Sequence, residues 1–405
     1  MRLNIVYECE SSAARKSRVL LGASICVAWT SCSVAPIGKY LHFWLAVSLA
    51  CVAISLILVG LYGVEKFVRR RRALYGAWLL ALYLLFVTAF AVCYPFLQKH
   101  TLNGGSDRED ALRIELIAIA HHQYPYEVKT FLGNLPTPLP GAMVLATPFY
   151  LIGHIAWQNL LWLGLFLLCS LRMFRSRMTA GVFLVVFVAA SPSNLSDFVS
   201  GGDYLTNFFY FAVAITLFSR SLNRSLVWSL PAAIFLGIAL SSRSIYFVAI
   251  VPLGVLVWQR MSAVRAATLM VVVVATTTAV TLSVFFPHPI AHLLVQLRQG
   301  SGKLRYMPHS LHAQWTLPAL ALLISFASVF FRMSLARLFL IFSMSTCAVV
   351  LPPIVTLALH AGRLPFECSY LAICALPYGL WALSRYEALL PSTTRQSCDN
   401  WLTTT

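Results

Sequence analysis

The sequence predicts an all-α polytopic membrane protein, with about 12 transmembrane helices and juxtamembrane amphipathic helices in its first large extracytoplasmic loop. Three observations predict it. The chain is 59% hydrophobic and only 11% charged, against roughly 25% charged in soluble proteins. Its apolar residues fall into runs near the length of about 20 residues that crosses a bilayer. Short knots of Lys and Arg separate the runs, the pattern that keeps connecting segments cytoplasmic. The alternating pattern of an outer-membrane barrel is absent.

The chain starts with a polar stretch carrying Arg2, Arg15, Lys16 and Arg18 ahead of an apolar run at 19–37. Another run follows at once without a cleavage signal, so the first is read as an uncleaved helix. Runs at 41–62 and 73–97 flank KFVRRRR at 66–72. Further apolar segments lie at 138–153, 157–173, 178–193, 204–219, 226–241, 244–258, 264–286, 314–331, 336–353 and 366–383. The first of these begins PTPLPG and is read as a partly inserted helix, because a full crossing would put RMFRSR (172–177) outside. Segments 226–241 and 244–258 are read as a hairpin around Ser242 and Arg243, which keeps QRMSAVR (259–265) cytoplasmic. Both termini are then cytoplasmic. The whole chain, 1–405, is one membrane-embedded unit: two N-terminal spans in 1–72, a central part at 73–260 and C-terminal spans in 261–405.

Charge and cysteine usage narrow the function. The net charge is +17, but the basic residues lie in knots between apolar runs rather than on one face, which argues for topology and against nucleic acid. The ten cysteines show no metal-like pairing, and His121, His122, His288, His292, His309 and His312 lack ligand spacing. The lipid bilayer is therefore the first partner.

Chemistry concentrates in the polar interruption at 98–141. Asp107, Glu109, Asp110, Glu115 and Glu127, five of the thirteen acidic residues, lie there. Leu112, Leu116 and Ile119 recur at helical spacing beside Arg113 and Glu115, which predicts an amphipathic helix on the membrane surface, capped by Ser106 or Asp107. Tyr124, Tyr126, Phe131 and Leu132 should anchor the loop that follows, and Asn134 lies in the same substrate-facing stretch. A second outward loop, 191–207, carries Asp197 and Asp203. With Glu109 these form a second acidic element, able to deprotonate a hydroxyl or to hold Mg or Mn, though nothing in the sequence requires a cofactor.

The ordered set resembles the GT-C superfamily of membrane glycosyltransferases, which includes protein O-mannosyltransferases and lipid A aminoarabinose transferases. The resemblance is carried by Asp107, Glu109 and Asp110 after an early span, a QYPY turn at 123–126, PTPLPG leading to LIG at 151–153, and Gly202-Asp203. It covers about residues 75–260, and two spans precede the family's usual first helix. It implies transfer of a sugar from a polyprenyl-(di)phosphate donor to a glycan, lipid or protein acceptor, outside the cytoplasm and with inversion. Asp107 or Asp110 would then be the general base, and Arg243, Arg298, Lys303 and Arg305 would receive the departing lipid phosphate. The compact loops suit a bacterial plasma membrane. A transporter or lipid flippase is the competing expectation, with charges near the bilayer midplane, and a noncatalytic subunit of envelope polysaccharide assembly is a third.

Overall fold

A computed structural model describes residues 12–40, 43–68, 75–97, 107–174, 176–286, 288, 304, 306–362 and 364–389. Among these residues the chain is helical, without strands: α1 (Ser12–Tyr40), α2 (Phe43–Val68), α3 (Tyr75–Leu97), α4 (Arg108–Ala120), α5 (Pro140–Leu151), α6 (Gln158–Met173), α7 (Arg177–Leu184), α8 (Pro192–Val199), α9 (Tyr204–Ser221), α10 (Leu226–Leu240), α11 (Ile250–Trp258), α12 (Ala263–Phe285), α13 (Ala313–Phe326), α14 (Leu335–Ala361) and α15 (Ala372–Ala388). Six helical stretches of the described residues are long and apolar enough to cross a membrane, or seven if one bent pair counts as a span. The protein is thus an all-helical, polytopic membrane protein, and length and composition alone support fewer crossings than the expected 12. The difference comes from shorter apolar helices such as Leu226–Leu240 and Ser244–Trp258, which fall below about 17 residues.

The bundle is built around α9. Phe208, Phe209, Tyr210 and Phe211 point in successive directions around it, and all are buried. A helix apolar on every side belongs at a centre, not at a surface. Phe166 from α6 stacks on Phe209 with centroids 4.8 Å apart, and Phe183 from α7 stacks on Phe208 at 6.3 Å. The outer helices α3 and α12 instead expose leucines and valines, as lipid-facing helices do.

The apolar run at 178–193 does not form one straight helix. A π-helical turn at Val185–Ala189 follows α7, and the chain then bends by 84° into α8. Pro192 starts α8 at a position where its missing N–H costs nothing. Ala190 lies in the bend, and its carbonyl accepts from the indole of Trp29 at 3.1 Å; the Ser191 hydroxyl accepts from Ser33 at 3.0 Å. Backbone at a break inside an apolar bundle is tolerated when neighbours satisfy it in this way.

The PTPLPG stretch leads into α5, a helix of 12 residues, too short to cross. Its first amides cap another helix. Leu139 N donates to Ser242 O at 3.0 Å and Gly141 N to Ser241 O at 3.2 Å, so the start of α5 satisfies carbonyls at the end of α10. A Cβ on Gly141 would sit 2.2 Å from the Ile238 carbonyl oxygen, and backbone cannot yield as a side chain can. Gly141→Val should therefore destabilise the protein by about 1–3 kcal/mol or more. A detergent-solubilised variant with an unchanged thermal midpoint would show that this crossing is not tight.

Basic and acidic groups separate along the bundle. The Asp197 and Asp203 region faces the start of α6, where Asn159 donates to the carbonyls of Phe198 and Gly202, both at 3.0 Å. At the opposite end of α6, roughly 24 Å along its axis, lie Arg172 and Arg177. Arg260 joins the far end by donating to Ser219 at 3.1 Å, and Arg265 does so through Arg224 and Ser229.

Candidate functional site

The acidic segment forms a folded cap on one end of the bundle. Asp107 stands at the N-cap of α4, but its carboxylate does not close the helix. It accepts instead from Thr130 Oγ1 and Asn134 Nδ2, both at 2.8 Å. Asp110 accepts the backbone N–H of Phe131 at 3.0 Å. The tight turn at 130–134 is thereby fastened to the start of α4 by the two aspartates expected to be catalytic. Ser106, the other expected cap, lies outside the described residues.

Tyr124 and Tyr126, expected as substrate-loop residues, are anchors. Tyr126 is 2% exposed and stacks on Phe285 of α12 at 5.4 Å, while Tyr124 meets the same ring edge-on at 6.3 Å. Of the expected anchors Phe131 is half-buried and Leu132 is exposed, so the tyrosines carry that job. Asn134 is exposed at the turn.

Beneath the cap, charges that the sequence scatters are brought together. Arg108 pairs with Asp197, 89 residues away, and its guanidinium lies 5.0 Å from the ring centre of Tyr204. Asp197 also accepts the Leu205 amide at 2.8 Å. Arg243 pairs with Asp203 at 2.6 Å and donates to Thr137 at 3.0 Å. Asp203 accepts in addition from Asn207 at 3.1 Å. Glu109 takes the Tyr94 hydroxyl at 2.8 Å. Gly201 and Gly202 make room for these carboxylates: a Cβ on the first would lie 2.7 Å from Glu109 Oε2, and on the second 2.2 Å from Asp197 Oδ1.

This arrangement corrects the expectation of a second acidic element exposed in an outward loop. Asp197 and Asp203 are 5% and 1% exposed. Burying a carboxylate is costly unless a cation accompanies it, so each has an arginine. Arg108 pairs with Asp197, Arg243 with Asp203, and the Tyr94 hydroxyl donates to Glu109, so two of the three carboxylates already have a cation where Mg or Mn would sit. Among the described residues no group of three His, Cys, Asp or Glu side chains could hold a metal ion. Arg243, expected to receive the phosphate, is paired with Asp203, and Arg298, Lys303 and Arg305 lie outside the described residues.

Glu115 departs from the amphipathic surface helix that the sequence predicts: it is 0% exposed with neither carboxylate oxygen hydrogen-bonded. A signal existed: Glu115 is four residues after Ala111 and three after Leu112, both on the buried face. Burial pushes its carboxyl well above the usual range; Arg243 opposes that shift and Asp203 adds to it. Tyr126, whose hydroxyl is also buried without a partner, is pushed up first by burial. Burial thus favours the neutral acid at Glu115, beside the Arg243–Asp203 pair.

That has a consequence for stability. An acid whose pKa is higher folded than unfolded keeps its proton in the folded protein after the unfolded chain has lost it. Its contribution is fully favourable below the ordinary glutamate range and is lost as pH rises toward the raised folded value. Glu115→Gln, which stays neutral, should flatten the fall in stability between about pH 5 and 8. Thermal midpoints of both proteins across that range test it, and parallel curves would show that Glu115 is not the group responsible.

No protein-family model, curated protein or solved structure matches this chain.

Proposed function

We propose that the protein is an integral membrane glycosyltransferase of the GT-C type. It transfers a sugar from a polyprenyl-(di)phosphate donor to an acceptor on the extracytoplasmic side of a bacterial plasma membrane. One observation supports this reading above the rest. Asp107, a carboxylate fixed on the cap, is followed directly by Arg108, a guanidinium held at the bundle end by Asp197. A proton acceptor for a hydroxyl and a cation for a departing phosphate thus occur on consecutive residues, the two groups that displacement at an anomeric carbon requires.

The division of labour follows from the partners. Asp107 or Asp110 takes the acceptor proton, and the turn at 130–134 orients both. Arg108 and Arg243 stabilise the lipid phosphate, because a guanidinium bound to one carboxylate still has other N–H groups to offer. The buried carboxylates Asp197 and Asp203 act as positioning residues for the two arginines. The chain's charge distribution fits the orientation: the Arg-rich end of the bundle is cytoplasmic and the acidic cap lies outside. In this reading the bent pair, α2, α9, α10, α11 and α15 also cross, giving 12 passes with both termini cytoplasmic.

The test is to incubate purified protein with a panel of polyprenyl-phosphate sugars and measure release of lipid phosphate. Release from at least one donor, dependent on an added hydroxyl acceptor, is the expected result. A folded protein that releases none, while moving labelled lipid between leaflets of reconstituted vesicles, would replace the transferase reading with the flippase.

A further inference from the structure

A cavity lies away from the acidic cap. Its volume is about 800 Å³, and it is bounded by the end of α6, the turn joining α13 to α14, and the last turns of α15. Gln259 fixes that turn at the arginine-rich end of the bundle, donating to Phe331 O at 2.8 Å and accepting from Met333 N at 2.7 Å. Three guanidiniums, Arg332, Arg337 and Arg385, line the cavity against a single carboxylate, Glu387.

All three arginines are exposed, at the rim of the cavity. Arg337 donates from Nη1 to the carbonyl of Arg332 at 2.5 Å, which ties its guanidinium to the rim instead of leaving it to wander. Apart from Ser334 and Ser384 the remaining lining is apolar, including Leu340 and Trp381. Phe331 and Met344, which also line the cavity, are 52% and 51% exposed in a chain whose exposed apolar side chains meet lipid. The cavity therefore has a cationic rim, an apolar wall and an open side toward the bilayer.

We propose that this cavity binds the phosphate headgroup of an anionic phospholipid of the cytoplasmic leaflet, with the upper part of its acyl chains against Leu340 and Trp381. Charge complementarity selects the occupant: three guanidiniums in one cavity match a phosphodiester, and arginine binds phosphate oxygens through paired N–H groups. The size suits it as well, since pockets of roughly 300–1,000 Å³ hold whole small molecules and a bare phosphate would leave most of this one empty. The anionic inner leaflet supplies such headgroups at high local concentration. The site stands apart from the transferase chemistry and rests on the bundle sitting in a membrane with its arginine-rich end cytoplasmic.

The experiment uses full-length protein in a non-ionic detergent, titrated in turn with short-chain phosphatidylglycerol, short-chain phosphatidylcholine and inorganic phosphate, with binding read by thermophoresis. Phosphatidylglycerol should bind about tenfold more tightly than phosphatidylcholine, and inorganic phosphate at the same concentration should not displace it. The Arg332→Gln, Arg337→Gln, Arg385→Gln triple variant should weaken phosphatidylglycerol binding by about tenfold or more. Ala336→Trp, which fills the cavity and leaves every arginine in place, should do the same and covers the case in which the triple variant fails to fold. Undiminished phosphatidylglycerol binding in Ala336→Trp would overturn the proposal. So would equal affinity for the zwitterionic lipid, and displacement by inorganic phosphate would show a free anion as the ligand.

Discussion

Changing Asp107 and Asp110 together to asparagine is expected to lower the initial rate of lipid-phosphate release by about 100- to 10,000-fold, the usual contribution of a positioned general base. Asparagine is the informative choice because of what the two carboxylates already do. Asp107 accepts from Thr130 and Asn134, and Asp110 accepts from the Phe131 amide. An amide oxygen can keep one such bond at each position, so the turn stays attached while the ability to take a proton is lost. Alanine would remove both and confuse catalysis with loss of the loop.

The single variants separate the two candidates. If Asp107 is the base, Asp107→Asn alone should reproduce nearly all of the loss and Asp110→Asn should act mainly through the turn, changing KM more than kcat. Thermal midpoints measured on the same preparations show whether the cap survived. Wild-type rates in the double variant would leave the two aspartates as fasteners of the 130–134 turn and nothing more.

What the sequence reveals and conceals divides along a physical line. Apolar runs report contact with lipid or with other apolar groups, so the helical, membrane-embedded character is legible from composition. Breaks that rest on local chemistry are legible too: PTPLPG marks a short helix, seen as Pro140–Leu151, and Ser242-Arg243 marks the turn between α10 and the next apolar helix. Pro192 carried a similar local signal for the 84° bend, yet an apolar run on both sides made one straight span the simpler expectation.

Long-range pairing left no such trace. Nothing in 108 or 197 alone announces that the two residues meet, and the arginine partners of Asp197 and Asp203 come from different stretches of the chain. Glu115 failed for a different reason. A helix judged only against water and lipid has two faces, so a carboxylate on it is assigned to water. Here protein surrounds α4 on one side, and the residue sits in a third environment with Arg243 and Asp203 as neighbours.

Arg243→Ala should be the most destabilising of the side-chain changes considered, at about 3–5 kcal/mol, because it leaves Asp203 buried without its cation. Asp203 is 1% exposed, and one of its oxygens has no hydrogen-bond partner even with Arg243 present, so Asn207 alone cannot compensate for the charge. The cost belongs to the stranded charge rather than to the lost contact, which a double variant can distinguish. Asp203→Asn combined with Arg243→Met removes both charges and should recover more than half of the stability that the single change loses. Unfolding in mixed detergent, followed by helical circular dichroism, measures all three proteins on one scale. Strictly additive losses would show that Arg243 and Asp203 act independently, and the buried pair would then no longer explain how the end of the bundle is held under the acidic cap.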